Sequence, residues 1–133
     1  MFIHQFRFSF KDETTEEQRA DVLSTLRQVA SVNSVSFGVV GQNLGDPGEE
    51  LTHAYIAGFE DLAAFERYLY EPVHLAGDPQ VVPHFKKVFI GPEMSDDMDP
   101  GLAAQIATMH EHKMAKYPEW GALMATIPEV RFV

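Results

Sequence analysis

Residues 2–10, Phe-Ile-His-Gln-Phe-Arg-Phe-Ser-Phe, alternate with a period of two. Phe2, His4, Phe6, Phe8 and Phe10 therefore share one face and Ile3, Gln5, Arg7 and Ser9 the other, which predicts a half-buried β-strand. His4 is a lone imidazole on that aromatic wall. The period then changes to that of a helix: Thr14 and Thr15 each have a capping-box partner three residues on, Glu17 and Gln18. Val22, Leu23, Leu26, Val29 and Ala30 fall on one stripe, as in a helix packed on a sheet. Val32 to Val40 is predicted as a second strand, Gly41 to Glu50 as an exposed loop and Leu51 to Phe59 as a third strand. In that third strand His53, Tyr55, Ala57 and Phe59 share a face.

Asp61 is placed to cap a second helix, in which Leu62, Phe65 and Leu69 face the core and which Pro72 stops. Pro79 and Pro83 interrupt the next segment. His84 to Ile90 gives a last strand, closed by Gly91-Pro92. The order strand, helix, strand, strand, helix, strand is that of an α+β, ferredoxin-like βαββαβ domain over residues 1–92. Two helices cover one face of its sheet. The other face is expected to pair with a second copy, making a homodimer, because a chain of this size cannot leave an apolar sheet face in water.

Residues 93–133 lie beyond this unit and are expected to form a C-terminal helical extension that packs on the domain or on the partner subunit. Asp99 and Pro100 make an N-cap and first-turn pair. Leu102, Ala103, Ile106, Met109, His110, Met114 and Tyr117 form a stripe that Pro118 ends, and Trp120 to Val133 is an apolar tail in need of a surface.

Composition narrows the function. With 133 residues, 45% hydrophobic and 11% aromatic, the chain is a globular domain. The absence of cysteine excludes disulfides, thiolate metal sites and cysteine nucleophiles. A formal charge of -10 argues against nucleic acid as a partner, since phosphate binding requires a basic face. No apolar run approaches a membrane span and the first residues lack the pattern of a signal peptide, so a cytoplasmic protein without a membrane partner is expected.

The candidate chemistry centres on Tyr68-Leu-Tyr-Glu-Pro-Val-His74. A helical tyrosine and a histidine just past a proline could converge on one pocket, the imidazole as acid or base and the phenol as donor to an oxyanion. Spacing leaves a second reading open, in which Tyr68 caps the core and His74 bonds a backbone carbonyl. His4 and His53 sit on neighbouring strands, and a cavity lined with Phe6, Phe8, Phe37 and Phe65 would have the anatomy of a small-molecule site. No carboxylate is placed with these groups, so neither a metal nor another cofactor is expected. His110 and His112, two apart on a helix, point about 200° from each other and cannot share an ion.

These segments resemble the stress-responsive A/B barrel (Dabb) domain family. The resemblance is carried by Phe2-Ile-His-Gln-Phe-Arg-Phe-Ser-Phe-Lys, Thr14-Thr-Glu-Glu, Thr52-His-Ala-Tyr-Ile-Ala-Gly-Phe-Glu and Tyr68-Leu-Tyr-Glu-Pro-Val-His. It implies a homodimeric α/β barrel. The olivetolic acid cyclase-type polyketide cyclases of that family use a motif tyrosine and histidine as the catalytic pair, positions matched here by Tyr68 and His74, with strand histidines matched by His4 and His53. A hydroxynitrile lyase shares the fold. The resemblance therefore implies a cofactor-independent cyclase, lyase or isomerase acting on a small aromatic or polyketide-like carbonyl compound, the alternative being a non-catalytic dimeric stress or small-molecule-binding protein. The extension and Glu71 depart from the family pattern.

Overall fold

The alternating segment becomes the central strand of the sheet. A computed structural model describes residues 1–133, and in it β1 (Phe2–Phe10) pairs antiparallel with β3 (His53–Phe59), from Phe2 opposite Phe59 to Phe8 opposite His53. On its other edge β1 meets β4 (Phe85–Ile90) and then the short β5 (Met94–Ser95). β2 (Phe37–Gln42) pairs antiparallel with β3, and β6 (Glu129–Phe132) runs parallel to β4. The strand order β2-β3-β1-β4-β6 contains the ferredoxin-like order, extended by one strand from the C-terminus.

Helix α1 (Glu16–Val29) starts on a complete capping box: the Thr15 hydroxyl accepts from the Gln18 amide (3.1 Å) and the Gln18 side chain accepts from the Thr15 amide (2.9 Å). Its stripe of Val22, Leu26 and Val29 is buried against the aromatic face of the sheet. The second strand begins at Phe37 rather than at Val32, because residues 32–35 close a turn (Val35 amide to Val32 carbonyl, 2.9 Å) whose valines still pack on the core. Helix α2 (Leu62–Leu69) is capped by Asp61, which accepts from the Ala64 amide at 2.8 Å. Pro72 does not simply stop the helical run. It occupies the first turn of a new helix, α3 (Pro72–Val81), where its missing N–H costs nothing. Pro79 lies inside α3, which ends two residues later.

The extension packs on its own chain. Asp99 caps the turn before α4 (Leu102–Lys116) by accepting from the Gly101 amide at 2.9 Å. Pro118 both ends α4 and begins α5 (Pro118–Met124), and the apolar tail continues into β6. Gly91 turns the chain after β4 at φ +95, and a Cβ there would stand 2.7 Å from the Val133 carbonyl oxygen, so only glycine lets the end of β6 lie against this turn.

The two sheet faces differ. Phe2, Phe8, Phe10, Tyr55 and Phe59 form the core beneath the helices. The opposite face exposes Phe37 and Val39, at 45% and 65%, with Arg7, Lys87 and Arg131 gathered over Phe89. No helix is long and apolar enough to cross a membrane.

Candidate active site

The break between α2 and α3 creates the site. Tyr68 lies one residue before the end of α2, and the swivel at Glu71-Pro72 turns the first turn of α3 back over it. The rings of Tyr68 and His74 stand 4.4 Å apart. His74 Nδ1–H donates to the Tyr68 carbonyl oxygen (3.0 Å), which also accepts the Glu71 amide (3.2 Å) where α2 ends. This bond fixes the tautomer and turns Nε2 toward Asp78, one helical turn further on, whose Oδ1 lies 3.5 Å away. That separation is too long for a good hydrogen bond and short enough for strong charge interaction.

Below His74 the Tyr68 hydroxyl meets the Tyr55 hydroxyl of β3 at 2.7 Å, with both side chains almost wholly buried. Two hydroxyls sharing one hydrogen bond retain one uncommitted proton. Burial pushes both phenols well above their ordinary range, and the nearby Asp78 charge adds to it, so both stay protonated donors at neutral pH. His4 on β1 donates from Nδ1 to Glu93 Oε1 (2.6 Å), which presents its other nitrogen to the space between sheet and helices.

A cavity of about 1290 Å³ occupies this space. Tyr68, His74, Tyr55 and His4 line it from the sheet and from α2 and α3; His110, Lys113 and Trp120 line it from the extension. The extension also fixes Asp78: Trp120 Nε1–H donates to Oδ2 at 3.0 Å, and Lys113 Nζ stands 3.8 Å from the same oxygen. Burial alone would raise the Asp78 carboxyl, but the neighbouring His74, with the Lys113 ammonium and the Trp120 donor, holds it below its ordinary value. Asp78 is therefore an anion beside the imidazole, suited to stabilise the imidazolium that forms when Nε2 takes up a proton.

Not every residue expected in the pocket reaches it. Tyr68, His74, His4 and Phe6 line the cavity. His53 does not: it stacks on Phe8 (5.4 Å) and bonds Thr52 (2.7 Å), four residues along β3 from the partner of His4, about 13 Å by strand rise. Phe8 is a fully buried core residue, and Phe65 lies beneath His4 with its ring 5.5 Å away, without lining the cavity. Phe37 is on the wrong face: its pairing with Gly58 places its ring on the outer side of the sheet, where the glycine leaves room for it. Sequence reasoning missed Tyr55, Asp78, Glu93, Lys113 and Trp120. The spacing of Asp78 four residues after His74 was the one local signal for any of them. His110, on the predicted stripe, lines the cavity and stacks on Trp120.

No curated protein matches the chain. Among solved structures it is similar to the hydroxynitrile lyase from Passiflora edulis, at 19% identity over 74% of this chain and 96% of that one, with a TM-score of 0.64. It is also similar to a Dabb family protein with a ferredoxin-like fold from Mesorhizobium loti (19% identity, 71% and 94% covered, TM-score 0.62). A dimeric ferredoxin-like protein of unknown function from Thermobifida fusca gives 20% identity, 71% and 89% coverage and a TM-score of 0.62. At these identities the likeness establishes the ferredoxin-like fold. The family model described as Stress responsive A/B Barrel Domain matches residues 2–91, the whole of the sheet-and-helix unit that carries Tyr68 and His74. On that match the chain belongs to the stress-responsive A/B barrel (Dabb) domain family.

Proposed function

We propose that the protein is a cofactor-independent acid/base enzyme, of cyclase, lyase or isomerase type, acting on a small aromatic or polyketide-like carbonyl compound. The observation that carries this reading is the cavity that Tyr68 and His74 both line, with a neutral phenol pair below and a carboxylate behind the imidazole. His74 Nε2 takes the proton alpha to a carbonyl, and Asp78 stabilises the resulting imidazolium. The uncommitted proton of the Tyr55–Tyr68 pair bonds the developing enolate oxygen, and His4 orients the substrate through its second nitrogen. Residues 1–92 act as the Dabb-like unit, and residues 93–133 complete the wall of its site.

The working form is a homodimer in the cytoplasm. The dimer is supported by the exposed Phe37 and Val39 on the open sheet face and by the dimeric state named for similar structures; the compartment rests on the sequence reading alone. The Passiflora edulis neighbour, a hydroxynitrile lyase, supports lyase chemistry among the classes considered.

One observation favours a second reading, a non-catalytic small-molecule-binding protein: His74 Nδ1 is already committed to a backbone carbonyl. Deuterium exchange separates the two. In D2O, proton NMR of acetophenone, acetylbenzoate and benzoylacetone with the wild-type protein should show loss of the signals alpha to the carbonyl faster than in buffer. Binding of these compounds without accelerated exchange of any would favour the second reading.

A further inference from the structure

Lys113 is the one fully buried charged side chain of the cavity wall. It stands on α4, outside the residues matched to the family, and its relative exposure is 0%. An ammonium carries three N–H donors, yet Nζ makes no hydrogen bond. Its nearest counter-charge, Asp78 Oδ2, is 3.8 Å away, beyond hydrogen-bond reach, and its closest aromatic neighbour is the Trp120 ring, 4.4 Å to the centroid.

Asp78 does not require the lysine for its own hydrogen bonding. Its Oδ2 already accepts the Trp120 N–H, and its Oδ1 faces His74. A methionine of similar length would fill the same space without the cost of burying a charge. Lys113 lines the same cavity as His74. Burial holds the ammonium below its ordinary value, and Asp78 offsets this only in part.

The remaining cations of the wall do not duplicate it. His110 is held toward its neutral form by burial, with Glu93 opposing this and His4 and Lys113 adding to it, and His4 is committed to Glu93. Met94, Met98 and Phe132 are exposed along the cavity wall together with the carboxylates Asp97, Asp99 and Glu111. A ligand with a hydrocarbon body and one anionic oxygen matches the inner part of that wall, where Lys113 is the fully buried charge.

We propose that Lys113 binds an ionised carboxylate of the substrate, so that the extension selects aromatic carbonyl compounds bearing an acid group. This rests on the reading of the cavity as the reaction site and specifies its substrate class. Because Asp78 faces His74 with one oxygen and Lys113 with the other, a carboxylate held at Lys113 keeps the rest of the ligand beside His74 Nε2.

The test is calorimetric binding of two probes of equal shape, naphthoate and naphthamide, to the full chain. Wild type should bind naphthoate about tenfold more tightly, the scale of one hydrogen bond to a charged group. Lys113→Met and Lys113→Gln should both lose this preference while retaining their affinity for naphthamide. Equal affinities in wild type, absence of naphthoate binding at millimolar concentration, or an unchanged preference in the variants would each overturn the proposal. Should neither variant fold, carbon-13 lysine labelling of wild type decides it: the Lys113 ε-methylene signal should move with naphthoate and not with naphthamide, and an unmoved signal overturns it. His74→Gln should keep the naphthoate preference. Failure of proton exchange in wild type would count against the His74 chemistry alone, whereas failure of the charge preference counts against Lys113 alone.

Discussion

Removing the oxygen of one phenol in the Tyr55–Tyr68 pair should harm the fold more than removing both. The two hydroxyls are 2.7 Å apart, on side chains 1% and 2% exposed, so water reaching them through the cavity they line replaces a lost partner poorly. Tyr68→Phe leaves the Tyr55 hydroxyl desolvated and unpaired, and Tyr55→Phe does the same to Tyr68; each costs roughly 1–3 kcal/mol. The double variant Tyr55→Phe/Tyr68→Phe removes both polar groups from an aromatic surrounding, and its cost should fall below that of either single change. The coupling energy then exceeds the cost of either single change and approaches their sum, roughly 2–6 kcal/mol, if the double variant is near wild type, with the sign that makes the double variant more stable than the sum of the singles. Urea unfolding at one protein concentration and neutral pH measures all four corners. With a slope of about 1–3 kcal/mol per molar, single-variant midpoints should drop by about 1 M. Single variants at the wild-type midpoint, or a double variant whose loss equals the sum, would refute the reasoning that each buried hydroxyl depends on the other. The same singles should slow exchange at the substrate alpha position, because each leaves one phenol where two had set the donor.

Two other consequences concern charge and assembly. The folded carboxyl of Asp78 titrates below its ordinary value, so the unfolded chain binds the proton more readily. The stability this contributes is fully present above about pH 4 and is lost as the pH falls through the folded value. Asp78→Asn should flatten that part of the curve of urea midpoint against pH, and a variant curve parallel to wild type on the acid side would remove Asp78 from the account. Val39→Asp, at an exposed position of the open sheet face, should convert the proposed homodimer to a monomer by light scattering after size exclusion; an unchanged mass would mean that this face is not the interface.

Periodicity made much of the fold legible. The alternation of residues 2–10 and the box at Thr15 and Gln18 are local signals, and β1 and α1 form where they indicate. Pro72 was ambiguous because the same ring that cannot continue a helix is well suited to start one, and nothing local says that another helix comes next. Val32 and Val35 are apolar because the turn after α1 packs on the core, which a propensity argument reads as strand.

The site was legible only in its local half. Tyr68 and His74 lie six residues apart, and their convergence arises from one helix break. Lys113 and Trp120 reach Asp78 across 35 and 42 residues, through an extension whose docking surface no sequence pattern specifies. Phe37 and His53 were misplaced for a related reason. A strand pattern gives the two faces but neither its pairing register nor the distance along the sheet at which a cavity closes.

The central claim is that His74 Nε2 is the base. Its most direct measurement is the rate of deuterium incorporation alpha to the carbonyl, followed by NMR for wild type and His74→Ala, with thermal melting to show that the variant is folded. The account predicts that a folded His74→Ala protein loses about 10² to 10⁴ of the wild-type acceleration; exchange at the wild-type rate in that variant would contradict it.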